Sequence, residues 1–315
     1  HATIRRQRQM CIRDSYLLAL FCLLLSLLSK GMAMTLPVVL LLIDFLKQRK
    51  FTAHLLVEKI PFFLLGAGFA FVTFLIQDDG EAVQSVDKAY AWQPVFVACY
   101  ATIIYLVKCL IPFQLSPFYP YPFYSAMDMQ WYFYASPVVL LVGGFLGYRF
   151  AKKHWQSNTT RLIIFGVAFF LITIGPVLQI IPFGRAMMAE RYTYVPYLGL
   201  FFIVVSVIVK MMENGISFSA KAWKAAAFAY AMILGVITSN NAKLWHNGET
   251  LWEEVIKKHP QDYFGYYGLG DYWKLEGENE LALANFSKSI ELFPYYWRSY
   301  IPVSYTHLTL PTNGC

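Results

Sequence analysis

The residues best suited to chemistry lie in the stretch FGRAMMAERYTYVPYLG, where Arg185, Glu190 and Arg191 occupy a short connection between two apolar segments. Tyr192 and Tyr194 follow directly. A guanidinium group at such a position can bind a phosphate in a bidentate, charge-assisted manner. The same residues are also typical of an ion pair between Glu190 and Arg191 at the membrane interface, flanked by aromatic anchors. The pattern leaves both interpretations open, a lipid-phosphate site and a structural anchor.

Three further positions carry polar groups at the edges of apolar segments. Lys30, in LLSKGMAMT, is a second cation that either binds a phosphate or snorkels to the headgroups. Tyr119, in the proline-spaced loop FQLSPFYPYPFY, suits a sugar or a lipid headgroup, and such loops are also common interfacial anchors. Asp44 is followed closely by Lys47 and Arg49, which favours an ion pair at the membrane edge over a catalytic carboxylate.

The cysteines and histidines do not form a recognisable site. Cys22, Cys99 and Cys109 lie inside apolar segments, and the chain has no CxxC motif or Cys/His cluster. The six histidines are scattered singly. We therefore expect no metal, no disulfide framework and no bound cofactor.

The two ends of the sequence are related to each other. RRQRQMCIRD at 5–14 and VSYTHLTLPT at 303–312 are what the genetic code gives when the two strands of one DNA segment are read in opposite directions. We interpret 1–14 and 303–315 as adapter-like artefacts, and we expect the remainder to be an internal fragment of a longer protein. The chain has a formal net charge of +7, and these ends hold four of its arginines and one of its aspartates. The remaining net positive charge is modest and does not indicate nucleic-acid binding.

The composition predicts a polytopic membrane protein. Hydrophobic residues make up 57% of the chain and charged residues 14%, whereas an ordinary soluble domain has about 25% charged residues. Apolar runs recur along the chain, most of them near the ~20 residues that cross a bilayer as a helix. We therefore predict an all-α fold, a transmembrane bundle of about seven to eight apolar segments over 15–242, with a break at SKGMAM between the first two. The runs lie at 16–28, 33–46, 60–77, 93–112, 133–150, 161–182, 195–212 and 221–239.

Charge in the connections predicts their side of the membrane. Those rich in Lys and Arg are predicted to be cytoplasmic: 47–59, 149–161 and 210–224. The segment 78–88 is acidic and 115–134 has no Lys or Arg, so both belong on the other side. This requires one run not to span, and 93–112, which contains Lys108 and ends at Pro112, is the best candidate for a re-entrant or interfacial segment. The non-cytoplasmic side then holds 78–134, 184–194 and all residues after 239.

The composition changes after about 243, which predicts a separate region over 243–302. From Pro260 to Pro294 is 34 residues, the period of the tetratricopeptide repeat. LWEEVIKKHP fits the second helix of a preceding repeat, and FPYYWRSY fits the start of the next. We predict the start of an α-solenoid, with one full repeat at about 261–294. The residues that match the repeat are Tyr266, Leu269, Gly270, Trp273, Gly277, Ala282, Phe286 and Pro294.

Several motifs, in this order, resemble the membrane and tetratricopeptide-repeat O-mannosyltransferase family and its bacterial relatives: SKGMAMTLPVVLLLIDF, EKIPFFLLG, SPFYPYP, MAERYTYVPYLGLF and LWEEVIKKHPQDYFGYYGLG. The resemblance covers nearly all of 16–300. It implies a glycosyltransferase of the type C fold that transfers a sugar, expected to be mannose, from a polyprenyl-phosphate donor to Ser or Thr of proteins. It also implies a location in the bacterial inner membrane, with the repeats on the periplasmic or external side.

The resemblance also implies roles for particular residues. An acid in the first long external loop is expected to act as the base; that loop would precede residue 16, so we expect the fragment alone to be inactive. Arg191, with Lys30, would bind the donor phosphate. The residues expected to support this site are Arg185, Glu190, Tyr192, Tyr194 and Tyr119.

A function of a different class remains open. The chain could instead anchor a non-catalytic tetratricopeptide-repeat scaffold for protein partners in the membrane. A transporter is disfavoured, because no predicted span carries a ladder of polar residues. In either case the expected partners are membrane lipid and proteins bound through the repeats; the enzyme adds the polyprenyl-phosphate sugar.

Overall fold

The computed structural model of the chain describes residues 2–79, 92–121, 129–180, 186–213 and 220–303. At 2–13, 77–79 and 220–221 it describes the backbone alone. These residues are mostly helical, which confirms the all-α prediction. The helices are α1 (Ala2–Ser29), α2 (Leu36–Leu46), α3 (Ala53–Asp79), α4 (Gln93–Leu110), α5 (Trp131–Lys153), α6 (Asn158–Ile174), α7 (Pro196–Glu213), α8 (Ala220–Ala242), α9 (Gly248–Lys258), α10 (Tyr263–Glu276) and α11 (Asn279–Leu292). Two short strands, β1 (Tyr119–Pro120) and β2 (Ala186–Met188), pair antiparallel.

Six of the described helices have the length and apolar composition needed to cross a membrane. Their apolar parts are Ala53–Ile76, Gln93–Leu110, Trp131–Lys153, Asn158–Val177, Pro196–Glu213 and Ala222–Trp245. The first two predicted runs form shorter apolar helices, at Asp14–Ser29 and Gly31–Leu46. The membrane character of the chain is therefore supported, while seven to eight spans, and a re-entrant or interfacial 93–112, stay predictions.

The predicted break at SKGMAM is confirmed. The helix α1 ends at Ser29, Lys30 has an extended backbone with φ −155° and ψ 124°, and a 3₁₀ turn at Gly31–Thr35 leads into α2. Pro37 lies in the first turn of α2, where its missing N–H removes no helical hydrogen bond. The proline therefore fits the start of a new helix.

The described residues fall into two compact units. The first unit contains α1 to α7, with residues up to Leu110, 129–180 and 192–213. The second unit contains 111–121, 186–191 and the residues from 220 on, including α8 to α11.

Within the first unit, α6 and α7 approach each other through two glycines. A Cβ atom added to Gly166 would lie 2.5 Å from the carbonyl oxygen of Gly199, and one added to Gly199 would lie 2.5 Å from that of Gly166. The two backbones are thus in direct contact, and only glycine, which has no Cβ atom, allows helices to approach this closely. In lipid, apolar burial does not drive helices together, and small residues at a crossing let dispersion contacts do so.

The helix α4 contacts the first turns of two neighbours in the first unit. The ring of Tyr100 lies 4.5 Å from that of Phe133, and Ser136 Oγ donates a hydrogen bond of 3.2 Å to the carbonyl of Phe96. At the start of α7, the hydroxyl of Tyr197 donates to the carbonyl of Tyr105 at 2.8 Å. Further along α5, residues 141–150 are all exposed. The α5 residues in these contacts therefore lie at its beginning.

The second unit contains a helical hairpin, α10 and α11, preceded by α9. Asn247 Oδ1 accepts a hydrogen bond from the Thr250 amide at 2.9 Å and caps α9. Gly277, with φ +85°, ends α10 in the left-handed conformation that glycine adopts without strain. The hairpin matches the helix pair expected at 261–294, while its assignment as a tetratricopeptide repeat stays a prediction.

Close packing in this hairpin explains one small residue of the predicted repeat. A Cβ added to Gly270 would lie 2.9 Å from the ring of Phe286, which is fully buried. Ala282 is likewise fully buried. The small side chains allow α10 and α11 to approach closely.

We predict that Gly166→Ala destabilises the first unit. The added methyl would meet the backbone of α7, and overpacking of this kind costs about 1–3 kcal/mol. The expected result is a lower melting temperature of the detergent-solubilised chain, followed by tryptophan fluorescence. Gly144→Ala on α5 is the matched control, because a Cβ there meets nothing within 4 Å. Equal melting temperatures for the two variants would contradict the proposed backbone contact.

We predict that the N-terminus of α10 loses stability as pH rises from about 4 to about 6. Asp262 is buried, and its carboxylate caps α10 by accepting a hydrogen bond of 3.0 Å from the Gly265 amide. Burial raises the pKa of this carboxyl to about 6, although the hydrogen bonds from the backbone amides act to lower the pKa. The folded state then binds a proton more tightly than the unfolded chain, so this stabilisation is complete below the ordinary pKa and is lost as pH passes the folded one.

The measurement is hydrogen exchange of the first α10 amides at several pH values, corrected for intrinsic exchange. Asp262→Asn keeps a capping oxygen and cannot titrate, so its protection should change less between pH 4 and 6 than that of the wild type. The same pH dependence in both proteins would assign the effect to another group.

Candidate functional site

The loop segments 111–121 and 186–191 pack against α9 and α10 in the second unit. Phe118 is buried, and its ring stacks on Phe264 with 5.2 Å between centroids and meets the edge of Trp252 at 6.0 Å. Val255 and Ala186 complete this apolar cluster. We call Phe118, Ala186, Trp252, Val255 and Phe264 the loop clamp. The clamp attaches two loops that are distant in sequence to the same pair of helices.

The sequence of 111–121 explains why this segment has little regular secondary structure. Pro117 and Pro120 lack an N–H group and fix φ, so the segment cannot form a helix and Pro120 cannot donate to a strand ladder. Pairing between β1 and β2 is accordingly brief, with Tyr119 opposite Met188, Pro120 opposite Ala186 and a register shift between them. The strand pair fixes how 119–120 lies against the segment that carries Glu190 and Arg191.

Tyr119 is the polar centre of this arrangement. Its hydroxyl donates a short hydrogen bond to Glu190 Oε1 and accepts one of 2.8 Å from the Ser116 amide. Ser116 is buried, and its own hydroxyl donates to the carbonyl of Phe118 at 2.8 Å. These bonds orient Glu190 toward the loop. Two of the predicted site residues, Tyr119 and Glu190, are therefore in direct contact.

Lys258, at the end of α9, contacts the same loop. Its ammonium group donates a short hydrogen bond to the carbonyl of Leu115 and pairs with Glu254 at 2.6 Å. The imidazole of His259 lies 6.3 Å from the ring of Tyr119. Sequence reasoning did not identify Lys258. Its four-residue spacing from Glu254 indicates a helical ion pair, but nothing in the sequence indicates the carbonyl partner.

Arg191 lies at the surface of this loop assembly. Its Nη1 donates a long hydrogen bond of 3.4 Å to the carbonyl of Pro117, and the side chain is exposed. A guanidinium group has five donor hydrogens in a planar fork, a geometry that suits bidentate contact with a phosphate. The geometry thus presents a cation at the surface, on a segment that the hydrogen bond between Tyr119 and Glu190 attaches to the 111–121 loop.

The remaining predicted site residues are placed differently. Lys30, Tyr192 and Tyr194 belong to the first unit, and their joint role with Arg191 stays a prediction. Lys30 is exposed at the break between α1 and α2, and Tyr194 is 78% exposed at the start of α7. Arg185 lies outside the described residues.

The ion pair predicted for Asp44 is confirmed, and it is part of a larger network in the first unit. Arg49 Nη1 lies 2.8 Å from Asp44 Oδ1, and Lys59 Nζ lies 3.2 Å from Asp44 Oδ2. Glu58 pairs with both cations, at 3.1 Å from Arg49 and 2.7 Å from Lys59. Asp44 and Lys59 are each only 5% exposed, so the network links α2 to α3 where both enter the apolar region. Lys59 was not predicted to take part.

No group of three or more His, Cys, Asp or Glu side chains in the described segments could hold a metal ion.

Comparison of the chain with protein-family models, with curated proteins and with solved structures finds no match.

We predict that Phe118→Ala releases the 111–121 loop from α9 and α10. Loss of a buried phenylalanine ring costs about 3–5 kcal/mol, and most of that cost should appear as local opening of the loop. Hydrogen exchange of the full chain in detergent should show faster exchange across 113–121 and at β2.

The matched control is Phe113→Ala in the same loop, where the side chain is 43% exposed. This variant should leave exchange at β2 nearly unchanged. If both substitutions accelerated exchange equally, the clamp would not be what holds the loop.

Proposed function

We propose that this chain carries the donor-phosphate site of an integral-membrane glycosyltransferase that transfers a sugar from a polyprenyl-phosphate carrier to Ser or Thr hydroxyls of proteins. The observation that carries the proposal is the exposed guanidinium of Arg191 on a loop fixed by Tyr119, Glu190 and the loop clamp. Mannose as the sugar follows from the motif resemblance alone. The bacterial inner membrane and the periplasmic side are likewise parts of the proposal.

The chemistry requires a cation at the leaving group. When the bond between the anomeric carbon and the phosphate oxygen breaks, negative charge develops on the departing polyprenyl phosphate, while the acceptor hydroxyl forms the new glycosidic bond and loses its proton. A guanidinium group placed beforehand at the phosphate stabilises that charge without having to reorganise. The base that takes the hydroxyl proton is not assigned to any residue of this chain.

The fixed loop is what makes Arg191 suitable for this role. A flexible arginine would lose conformational entropy on binding the phosphate, which would weaken its contribution. The bond from Tyr119 to Glu190 and the seating of Phe118 restrain the residues on both sides of the site before donor binding. Lys30, exposed at a helix break in the first unit, is proposed as the second cation.

The contacts of α4 support the proposed topology. A helix that ran antiparallel to α5 through a bilayer would be expected to cover it over most of its length. The contacts with Phe133 and Ser136 instead lie in the first two turns of α5, and that with Tyr197 lies at the start of α7. These contacts favour α4 as an interfacial helix that lies across the external ends of α5 and α7. With α4 in that position, 78–134 would remain on the non-cytoplasmic side of the membrane.

A second candidate function is a membrane-anchored scaffold. The chain beyond α11 exposes large aromatic side chains, with Tyr295 at 86% and Trp297 at 50% exposure. Aromatic residues are enriched in protein interfaces, and an incomplete repeat array would leave such a surface for the next repeat or a partner. This reading predicts protein binding without sugar transfer.

We predict that Arg191→Ala in the parent protein lowers sugar transfer roughly a hundredfold or more, the effect expected for loss of a phosphate-stabilising group. The measurement is transfer from polyprenyl-phosphate mannose to an acceptor protein in proteoliposomes. Arg191→Lys should retain part of the activity, because an ammonium group keeps the charge but loses the bidentate geometry.

Lys274→Ala is the matched control, because Lys274 is an exposed cation of the second unit on α10. Its transfer should equal that of the wild type. Unchanged transfer by the Arg191→Ala protein would reduce Arg191 to a structural residue. No transfer by any of the proteins, wild type included, would favour the scaffold.

A further inference from the structure

The C-terminal end of α5 forms a second cationic region, in the first unit. A surface cavity of about 630 Å³ is lined there by aromatic and basic side chains alone. The lining residues are Phe145, Tyr148, Arg149, Phe150, Lys152 and Lys153. All six are exposed, and we call this region the basic end of α5.

The positions of these residues follow from helix geometry. Phe145 and Arg149 are four residues apart and share one face, with the guanidinium carbon 5.8 Å from the ring centroid. Lys152 and Lys153 occupy the last turn of α5, where cations interact favourably with the partial negative charge of the helix terminus. The cations are thus concentrated at one end of a helix that is otherwise apolar.

This basic connection differs from the others in having no acids. Between Arg149 and Arg161 the sequence RFAKKHWQSNTTR contains no Asp or Glu. In the connection after α2, by contrast, Arg49 is paired with Asp44 and Glu58. At the end of α7, Lys210 pairs with Glu213 at 3.1 Å. The positive charge at the end of α5 is therefore not offset by neighbouring carboxylates along the chain.

The body of the helix indicates which anion fits. Residues 141–150 of α5 are all exposed, and Leu141 and Leu146 are 74% and 60% exposed. An apolar helix surface that continues directly into a cationic end matches a molecule with acyl chains below an anionic headgroup. A soluble polyanion would contact the cations and gain nothing from Phe145 and the leucines.

We propose that the basic end of α5 binds an acidic glycerophospholipid. Arg149, with Lys152 and Lys153, contacts the phosphodiester, and an acyl chain lies along Phe145 and the exposed face of α5. This site is independent of the proposed donor-phosphate site and does not require the chain to be an enzyme.

The test is native mass spectrometry of the full chain in detergent, titrated with phosphatidylglycerol or with phosphatidylcholine of the same acyl composition. We expect phosphatidylglycerol adducts at lower lipid concentration. The variant R149Q/K152Q/K153Q should weaken phosphatidylglycerol binding roughly tenfold or more, because it removes the cations proposed to contact the phosphodiester directly, and charge-assisted hydrogen bonds are the stronger ones. Phosphatidylcholine binding should hardly change.

The variant K47Q/K50Q/K224Q is the matched control, since it removes three positive charges from other exposed positions. It should bind phosphatidylglycerol like the wild type. Equal weakening by both triple variants, or equal affinity of the wild type for the two lipids, would overturn the proposal.

A second arm separates a lipid from its headgroup. Phe145→Ser should weaken phosphatidylglycerol binding while the three cations remain, which supports acyl contact at the cavity. Competition by soluble glycerophosphate as effective as that by the lipid would also overturn the proposal, because the site would then recognise a free anion.

Discussion

The seating of Phe118 against α9 and α10 is the interaction on which the second unit depends. Before it forms, 111–121 is a proline-rich segment with no regular structure of its own, and 186–191 can pair only through a few backbone bonds. Burial of one aromatic ring among Trp252, Val255 and Phe264 provides the apolar contact that the loops lack. The hydrogen bonds of Tyr119 and Lys258 can then form in a fixed geometry, and Arg191 acquires a defined position.

The first unit is held together by different forces, as its composition requires. Helices that are apolar on all sides gain little from contact with each other in lipid, so specific approach and polar pairing must provide the association. The backbone contact of Gly166 with Gly199 provides the close approach, and the network around Asp44 provides the polar pairing. Asp44 and Lys59 are the two buried members of that network, and each has two oppositely charged partners, which offsets the cost of burying their charges.

The distribution of charge connects these structural features with function. Where cations serve the fold, as Arg49 and Lys59 do, carboxylates neutralise them. Arg191 presents positive charge at the surface beside the loop that carries Phe118 and Tyr119, and the basic end of α5 combines exposed cations with aromatic side chains. Both suit phosphate, and the proposals assign them two kinds of phosphate-bearing lipid, a sugar donor and a structural phospholipid. The loop beside Arg191 is held by several bonds, whereas the basic end of α5 carries three cations on one exposed helix end.

The sequence by itself determined the helical class, the break after Ser29, the pairing of Asp44 with Arg49 and the hairpin between Asp262 and Leu292. These features depend on hydropathy, on helix-terminating residues and on charges within a few positions of each other, all of which are local. Residue type and position also indicated Tyr119, Glu190 and Arg191 as candidate site residues. Only the tertiary structure decided that Tyr119 binds Glu190, that Lys258 holds Leu115, and that Lys59 joins Asp44. The first two contacts join residues that are far apart in the chain. For Asp44, several cations lie nearby in the sequence, and the sequence does not show which of them it pairs with. In each case the packing of the folded chain selects the partner.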